Sequence, residues 1–271
     1  MTVSLEMNLL REAAEEAARA GAAALEPFTA ARRELGVREK ADRDFVTAAD
    51  VASERAIRAV IHGRFPGHEI LGEEEEGARL ATESPLWIID PLDGTANFIH
   101  GYPVFSVAIA CTIGGEPVAA AVLDVTRDQL YAAARDRGAT RNGQPIRVSG
   151  CESEKDALIA TGFPFRRMHR AELFLKSIEE VLRRTSGVRR AGSAALDLAW
   201  VASGALDGFW EEGLGPWDIA AGALLVEEAG GFVTDFAGGR RHLETGAVVA
   251  ATPAIHTPLR ELVFSIQGDG V

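Results

Sequence analysis

The sequence predicts a mixed α/β fold on three observations. Residues 5–25 place Leu5, Leu9, Leu10, Ala13, Ala17 and Leu25 at the spacing of one helix face. Residues 105–113 and 117–125 are apolar, strand-like runs joined by Gly114-Gly115, a hairpin signal. From about Ser149 short apolar runs alternate with helical patterns, the mark of an α/β unit. That shift divides the chain into an N-terminal α+β half, residues 1–148, and a C-terminal α/β half, residues 149–271.

The elements follow in order. The first helix ends at Gly21 or Pro27. Thr47 has the chemistry of an N-cap for a second helix reaching about residue 62, and Asp50 three residues on completes a near capping box. Phe65-Pro66-Gly67 breaks that helix before a short strand at 68–71. Leu86 to Ile89 reads as a buried strand that runs straight into Asp90. The 105–125 hairpin, a strand at 129–134 and a tight Asn142-Gly143 turn before 146–148 make an antiparallel meander. Beyond it come a strand at 157–161, a helix at 171–184, a small-residue turn at 190–196 and a strand at 205–210. A helix opening at Pro216, strands near 232 and at 247–251, and a last helix at 254–265 complete the chain.

Composition excludes several classes. The net charge of −12 argues against a nucleic-acid polyanion as main partner, because such binding needs clustered Lys and Arg. It leaves a small phosphorylated substrate open, since bound cations reverse the local field. Two cysteines, Cys111 in an apolar run and Cys151, make no disulfide framework and fit a reducing cytosol. No apolar stretch is long enough to span a bilayer, and the N-terminus has no basic-then-apolar export pattern, so a cytoplasmic location is expected.

The chemistry concentrates in Asp90-Pro91-Leu92-Asp93-Gly94-Thr95. Asp90 stands at a strand's carboxyl end, where open α/β sheets bind ligands. Pro91 and Gly94 shape a stiff turn that lets Asp90 and Asp93 converge. Two close carboxylates repel unless a cation lies between them, and a hard divalent ion with oxygen ligands is the simplest occupant. Thr95 and the amides after Gly94 then face an anion, which suggests phosphate chemistry. Gly72 is followed by four glutamates. Such a run is mostly a solvated loop, and Glu73 stands apart at the strand end, ahead of Glu74.

With Asn97-Phe98 this block resembles the signature of the inositol monophosphatase family of metal-dependent, lithium-sensitive sugar phosphatases. Trp217-Asp218-Ile219-Ala220-Ala221-Gly222 resembles the second signature, and Lys40 to Asp50, Gly72-Glu73-Glu74 and Thr161-Gly162-Phe163-Pro164 resemble supporting blocks in the right order. The resemblance covers roughly residues 40–235 and departs slightly at Ala96. It implies a layered αβαβα sandwich with the site between its halves, and a homodimer. It implies metal ligands Glu73, Asp90, the Leu92 carbonyl, Asp93 and Asp218 for two or three Mg²⁺. Asp50 and Thr95, with Glu73, would act on the attacking water. Asp93, Gly94, Thr95, the turn Gly192-Ser193-Ala194 and Glu211 would contact substrate, with Glu212 competing for the last role.

The chemistry needs such a set. Phosphate monoester hydrolysis calls for accelerations up to about 10²¹-fold, and acid–base catalysis supplies only roughly 10² to 10⁴-fold. Two metal ions that activate water and stabilise the leaving oxygen close the gap without a covalent phosphoenzyme. Inositol 1-phosphate is the leading substrate, with Glu211 and Asn97-Phe98 leaning that way. Histidinol phosphate, fructose 1,6-bisphosphate and a 3′-phosphonucleotide are siblings. A regulatory protein binding RNA or a polymerase on the same fold is the reading from another class.

Overall fold

The computed structural model describes residues 2–30, 38–41, 44–73 and 83–270. The first helix, α1 (Thr2–Leu25), runs through Gly21 and gives way to a short 3-10 turn that contains Pro27. Gly21 is therefore no terminator. A Cβ there would stand 2.9 Å from Ile57, so the glycine lets the next helix approach closely. A two-stranded hairpin, β1 (Arg38–Ala41) and β2 (Asp44–Val46), precedes α2 (Ala48–Arg64). Thr47 and Asp50 form the expected capping box at its start.

Seven strands build the first main sheet: β3 (Glu69–Gly72), β4 (Leu86–Asp93), β5 (Ser106–Ile113), β6 (Glu116–Asp124), β7 (Gln129–Ala134), β8 (Ala139–Arg141) and β9 (Gln144–Ile146). They lie in sequence order. β3 is parallel to β4, and every later neighbour pairs antiparallel. One short helix, α3 (Thr95–His100), sits between β4 and β5. The second sheet has the order β11-β10-β12-β14-β13, built from β10 (Leu158–Thr161), β11 (Gly187–Arg189), β12 (Gly208–Glu211), β13 (Phe232–Thr234) and β14 (Val248–Ala251). Its helices are α4 (Ala171–Arg184), α5 (Ala194–Ala202), α6 (Pro216–Glu228), the short α7 (His242–Thr245) and α8 (Pro253–Gln267).

Burial explains the stacking. Along β4, Leu86 and Ile88 join one core, while Trp87 and Ile89 join another on the opposite face, the period-two alternation of a strand. α1 and α2 cover one face of the seven-stranded sheet. α5 and α6 are packed between the two sheets, and α4 and α8 cover the far face of the second. The result is five layers, αβαβα. α5 and α6 are almost wholly apolar, as a helix buried on all sides must be. Small side chains make the central layer tight: a Cβ on Gly222 would stand 2.4 Å from Leu198.

Candidate active site

β4 continues three residues past the expected strand end, through Pro91 to Asp93. Its ladder to β5 slips between Asp90, opposite Ala108, and Asp93, opposite Ser106. An irregularity of this kind accommodates a proline within a central strand and re-aims side chains, as bulges beside active sites do. It turns both aspartates towards the first turn of α6. One carboxylate oxygen each from Asp90, Asp93 and Asp218 lie within 4.8 Å of one another, and all three residues are buried.

Each carboxylate is held by its own scaffold. Asp90 is fully buried, with Oδ1 accepting the Leu92 amide at 3.0 Å and Oδ2 left without a partner among the described residues. Burial, then Glu73, Asp93 and Asp218, push its carboxyl well above the ordinary range. Asp93 Oδ2 accepts the Ser193 hydroxyl at 2.5 Å, the Ala195 amide at 2.9 Å and the Ser106 hydroxyl at 3.4 Å. Burial raises its carboxyl, and these bonds oppose the rise. Asp218 Oδ2 accepts the Gly215 amide at 2.6 Å, ordinary chemistry at the start of a helix. Asp218 thus caps its helix with one oxygen while contributing to the cluster.

Three buried carboxylates around one point, one with an orphaned oxygen, make a poor structure by themselves and a good oxygen cage for a hard cation. Glu73 ends the described part of its segment just after β3. It lies outside the mutual 4.8 Å set, although its charge reaches Asp90. Glu74 lies outside the described residues.

Asp50 caps its helix and also meets Thr95. Oδ2 accepts the Thr47 amide at 2.8 Å and the Thr47 hydroxyl at 2.6 Å, while Oδ1 faces the Thr95 hydroxyl at 3.1 Å. The Leu92 carbonyl also lies 3.0 Å from Thr95 Oγ1, so one hydroxyl proton stands between two acceptors. Gly94, at φ 91°, is the N-cap of α3. A Cβ there would stand 3.0 Å from the Val104 carbonyl and 3.2 Å from that of Gly192, so only glycine lets these backbones meet.

The second half supplies the rest. Gly192 has φ 90°, and Ser193 is the N-cap of α5, so the turn first braces Asp93 from behind. Ala194 follows it into the helix as a buried residue. Glu211 ends β12 against Gly162, where a Cβ would fall 1.9 Å from Glu211 Oε1. Glu212 points elsewhere: it is buried and ion-paired with Arg170 at 2.7 Å.

Other expectations change role. Asn97 is a tether, its amide within 2.7 Å of the Val104 carbonyl, 3.0 Å of Ala191 and 3.3 Å of Gly192. Phe98 is core, stacked edge-on against Phe105 at 5.2 Å. Sequence reasoning missed Ser106 and Asp197. The first lies opposite Asp93 across a strand pair and could be found only from register. The second is a single acid in the helix AALDLAWVA, 1% exposed with Oδ1 unpartnered, and its isolation in an apolar helix was the available signal.

The chain is similar to known proteins over most of its length. The sequence pattern described as "Inositol monophosphatase family" matches residues 6–267. A Pseudomonas aeruginosa protein named Nus factor SuhB is 49% identical over 221 residues, covering 80% of this chain and 81% of its own. An inositol-1-monophosphatase of Rhizobium meliloti is 42% identical over 229 residues, covering 84% and 86%. The structure of an inositol monophosphatase from Anabaena (Nostoc) sp. superposes with a TM-score of 0.86 at 38% identity, over 96% of this chain and 97% of that one. With both signatures, the layered fold and a match over nearly its whole length, the chain belongs to the inositol monophosphatase family, and it is a phosphatase.

Proposed function

We propose that the chain hydrolyses inositol 1-phosphate with Mg²⁺ as cofactor. The observation that carries this reading is the buried Asp90–Asp93–Asp218 cluster with its orphaned Asp90 oxygen. The donor set is all oxygen, which suits Mg²⁺, and Glu73 and the Leu92 carbonyl would complete the cage for two or three ions. Bound there, Mg²⁺ supplies Lewis-acid chemistry, lowering the pKa of water and neutralising charge on the phosphate and the leaving oxygen.

The protein's own groups do the positioning. Thr95 and Asp50 aim the attacking water, Asp50 serving as the proton's acceptor through the Thr95 hydroxyl. The amides of Gly94 and Thr95 face the phosphate at the start of α3. Glu211 takes a ring hydroxyl, which suits a polyol better than a second phosphate. The turn at Gly192, Ser193 and Ala194 lines the sugar side.

The site lies where the two halves, residues 1–148 and 149–271, meet. That division is supported by each sheet drawing all its strands from one half. The homodimer, lithium inhibition and a cytoplasmic location rest on the family resemblance. No helix among the described residues is long and apolar enough to cross a membrane.

The test is phosphate release from inositol 1-phosphate, histidinol phosphate, fructose 1,6-bisphosphate and adenosine 3′,5′-bisphosphate with Mg²⁺, EDTA or added Li⁺. A Mg²⁺-dependent, Li⁺-inhibited preference for inositol 1-phosphate is expected. Preference for another ester would keep the mechanism and move the substrate. One observation favours a second reading: the Pseudomonas aeruginosa relative is named a Nus factor. Salt-dependent binding of RNA by the pure protein would support such a role, and the charge of −12 weighs against it.

A further inference from the structure

We propose that Asp197 is a specificity-determining residue of the sugar pocket, its carboxyl hydrogen-bonding a ring hydroxyl beside the one taken by Glu211. The inference rests on the phosphatase reading above and deepens it. Asp197 follows Ser193 by four residues and therefore lies on the same face of α5. That face looks at Asp93, whose Oδ2 the Ser193 hydroxyl reaches at 2.5 Å. Asp197 is 1% exposed, yet its Oδ1 has no hydrogen-bond partner. A buried carboxyl without a partner destabilises a fold. Oδ1 therefore makes no structural bond among the described residues, and its free valence fits a donor that arrives with substrate.

The surroundings fit a polyol. Glu211 and Asp93 lie close enough to act on Asp197 electrostatically, and Arg190 opposes them. Glu211 is laid against the backbone of Gly162, at the end of β10, where no side chain fits. The Arg190 guanidinium lies 4.8 Å from the Phe163 ring centre, and its Nη1 stands 2.6 Å from the position of a Cβ on Gly192. Two carboxyls near one another match a ring with adjacent hydroxyls, whereas an aryl phosphate offers none.

The experiment compares wild type, Asp197→Ala and Asp197→Asn on the polyol phosphate that wild type prefers and on phenyl phosphate, together with thermal melting. Asp197→Ala is expected to lose roughly 10- to 100-fold in kcat/KM on the polyol ester, chiefly through KM. On phenyl phosphate it should stay within about threefold of wild type. Asp197→Asn keeps hydrogen-bonding atoms and should restore most of the loss, and neither variant should melt lower than wild type. Equal losses on both esters, or no loss on either, would overturn the proposal. Wild-type preference for a polyol phosphate other than inositol 1-phosphate would overturn only the substrate named above. A wild type inactive on every ester would overturn both.

Discussion

Asp93 shows how a single side chain links the two halves. Its Oδ2 collects Ser106 from the first sheet and Ser193 and Ala195 from α5, so its orientation is fixed before any ligand arrives. Asp93→Asn keeps the shape and removes the charge. It should lower kcat by on the order of 10³-fold or more, as expected for losing several kcal/mol of metal-supplied stabilisation, with an unchanged circular dichroism spectrum. Ser193→Ala removes the brace on Asp93 together with the N-cap of α5, and groups that orient ligand carboxylates are typically worth about 10- to 100-fold. A Mg²⁺ titration of activity should show that loss as weaker metal dependence. The motif residues Asp90, Asp93 and Asp218 were legible because short motifs carry them. Ser106 and Asp197 were not: Ser106 stands outside any motif, Asp197 falls just past the turn at 190–196, and each acquires its neighbours only through folding.

At the scale of elements, hydrophobic runs located the strands well, and boundaries moved by a few residues. The exception matters most: β4 does not stop at Asp90 but continues through Pro91, because its register slips there. A proline in the sequence argued for a turn, and only the pairing partner reveals the irregularity. The end of β10 offers a sharper test. Gly162→Ala would drive a Cβ into the Glu211 carboxylate and displace it. Overpacking of this kind should cost roughly tenfold in kcat/KM for the polyol substrate, with a smaller change on phenyl phosphate.

α8 carries a pH-dependent tie of its own. His256 faces the Thr234 hydroxyl at 3.1 Å, and burial, aided by Arg260, lowers its pKa to about 4. The folded state therefore binds fewer protons than the unfolded chain between the ordinary value of 6.5 and about 4. Its contribution, about 3 kcal/mol at most, is present above 6.5 and lost as pH falls through that window. His256→Gln should flatten that part of the stability profile in urea melts relative to wild type.

For the whole molecule, the layered architecture and the convergence of two halves on one acidic cluster define its electrostatics. Asp90 and Asp93 have folded-state values above the usual 3.8. In metal-free protein the folded state then holds more protons than the unfolded chain as pH rises from 3.8 through those raised values, and the contribution of these groups to stability falls across that range. Mg²⁺, if held there as proposed, would bind the ionised carboxylates and should reverse the trend, raising the melting temperature more at pH 8 than at pH 5. Equal shifts at both pH values would contradict the assignment of these carboxylates as metal ligands. The resemblance anticipated the αβαβα order. The tethers between halves, Asn97 above all, were invisible because they join residues about ninety positions apart.

The most direct measurement is phosphate release from inositol 1-phosphate by wild type and Asp93→Asn side by side, with Mg²⁺ and with EDTA. The expected result is turnover by wild type that appears with Mg²⁺ and vanishes with EDTA, and almost none by the folded variant under either condition. Turnover in EDTA, or wild-type Mg²⁺-dependent rates in Asp93→Asn, would contradict the account.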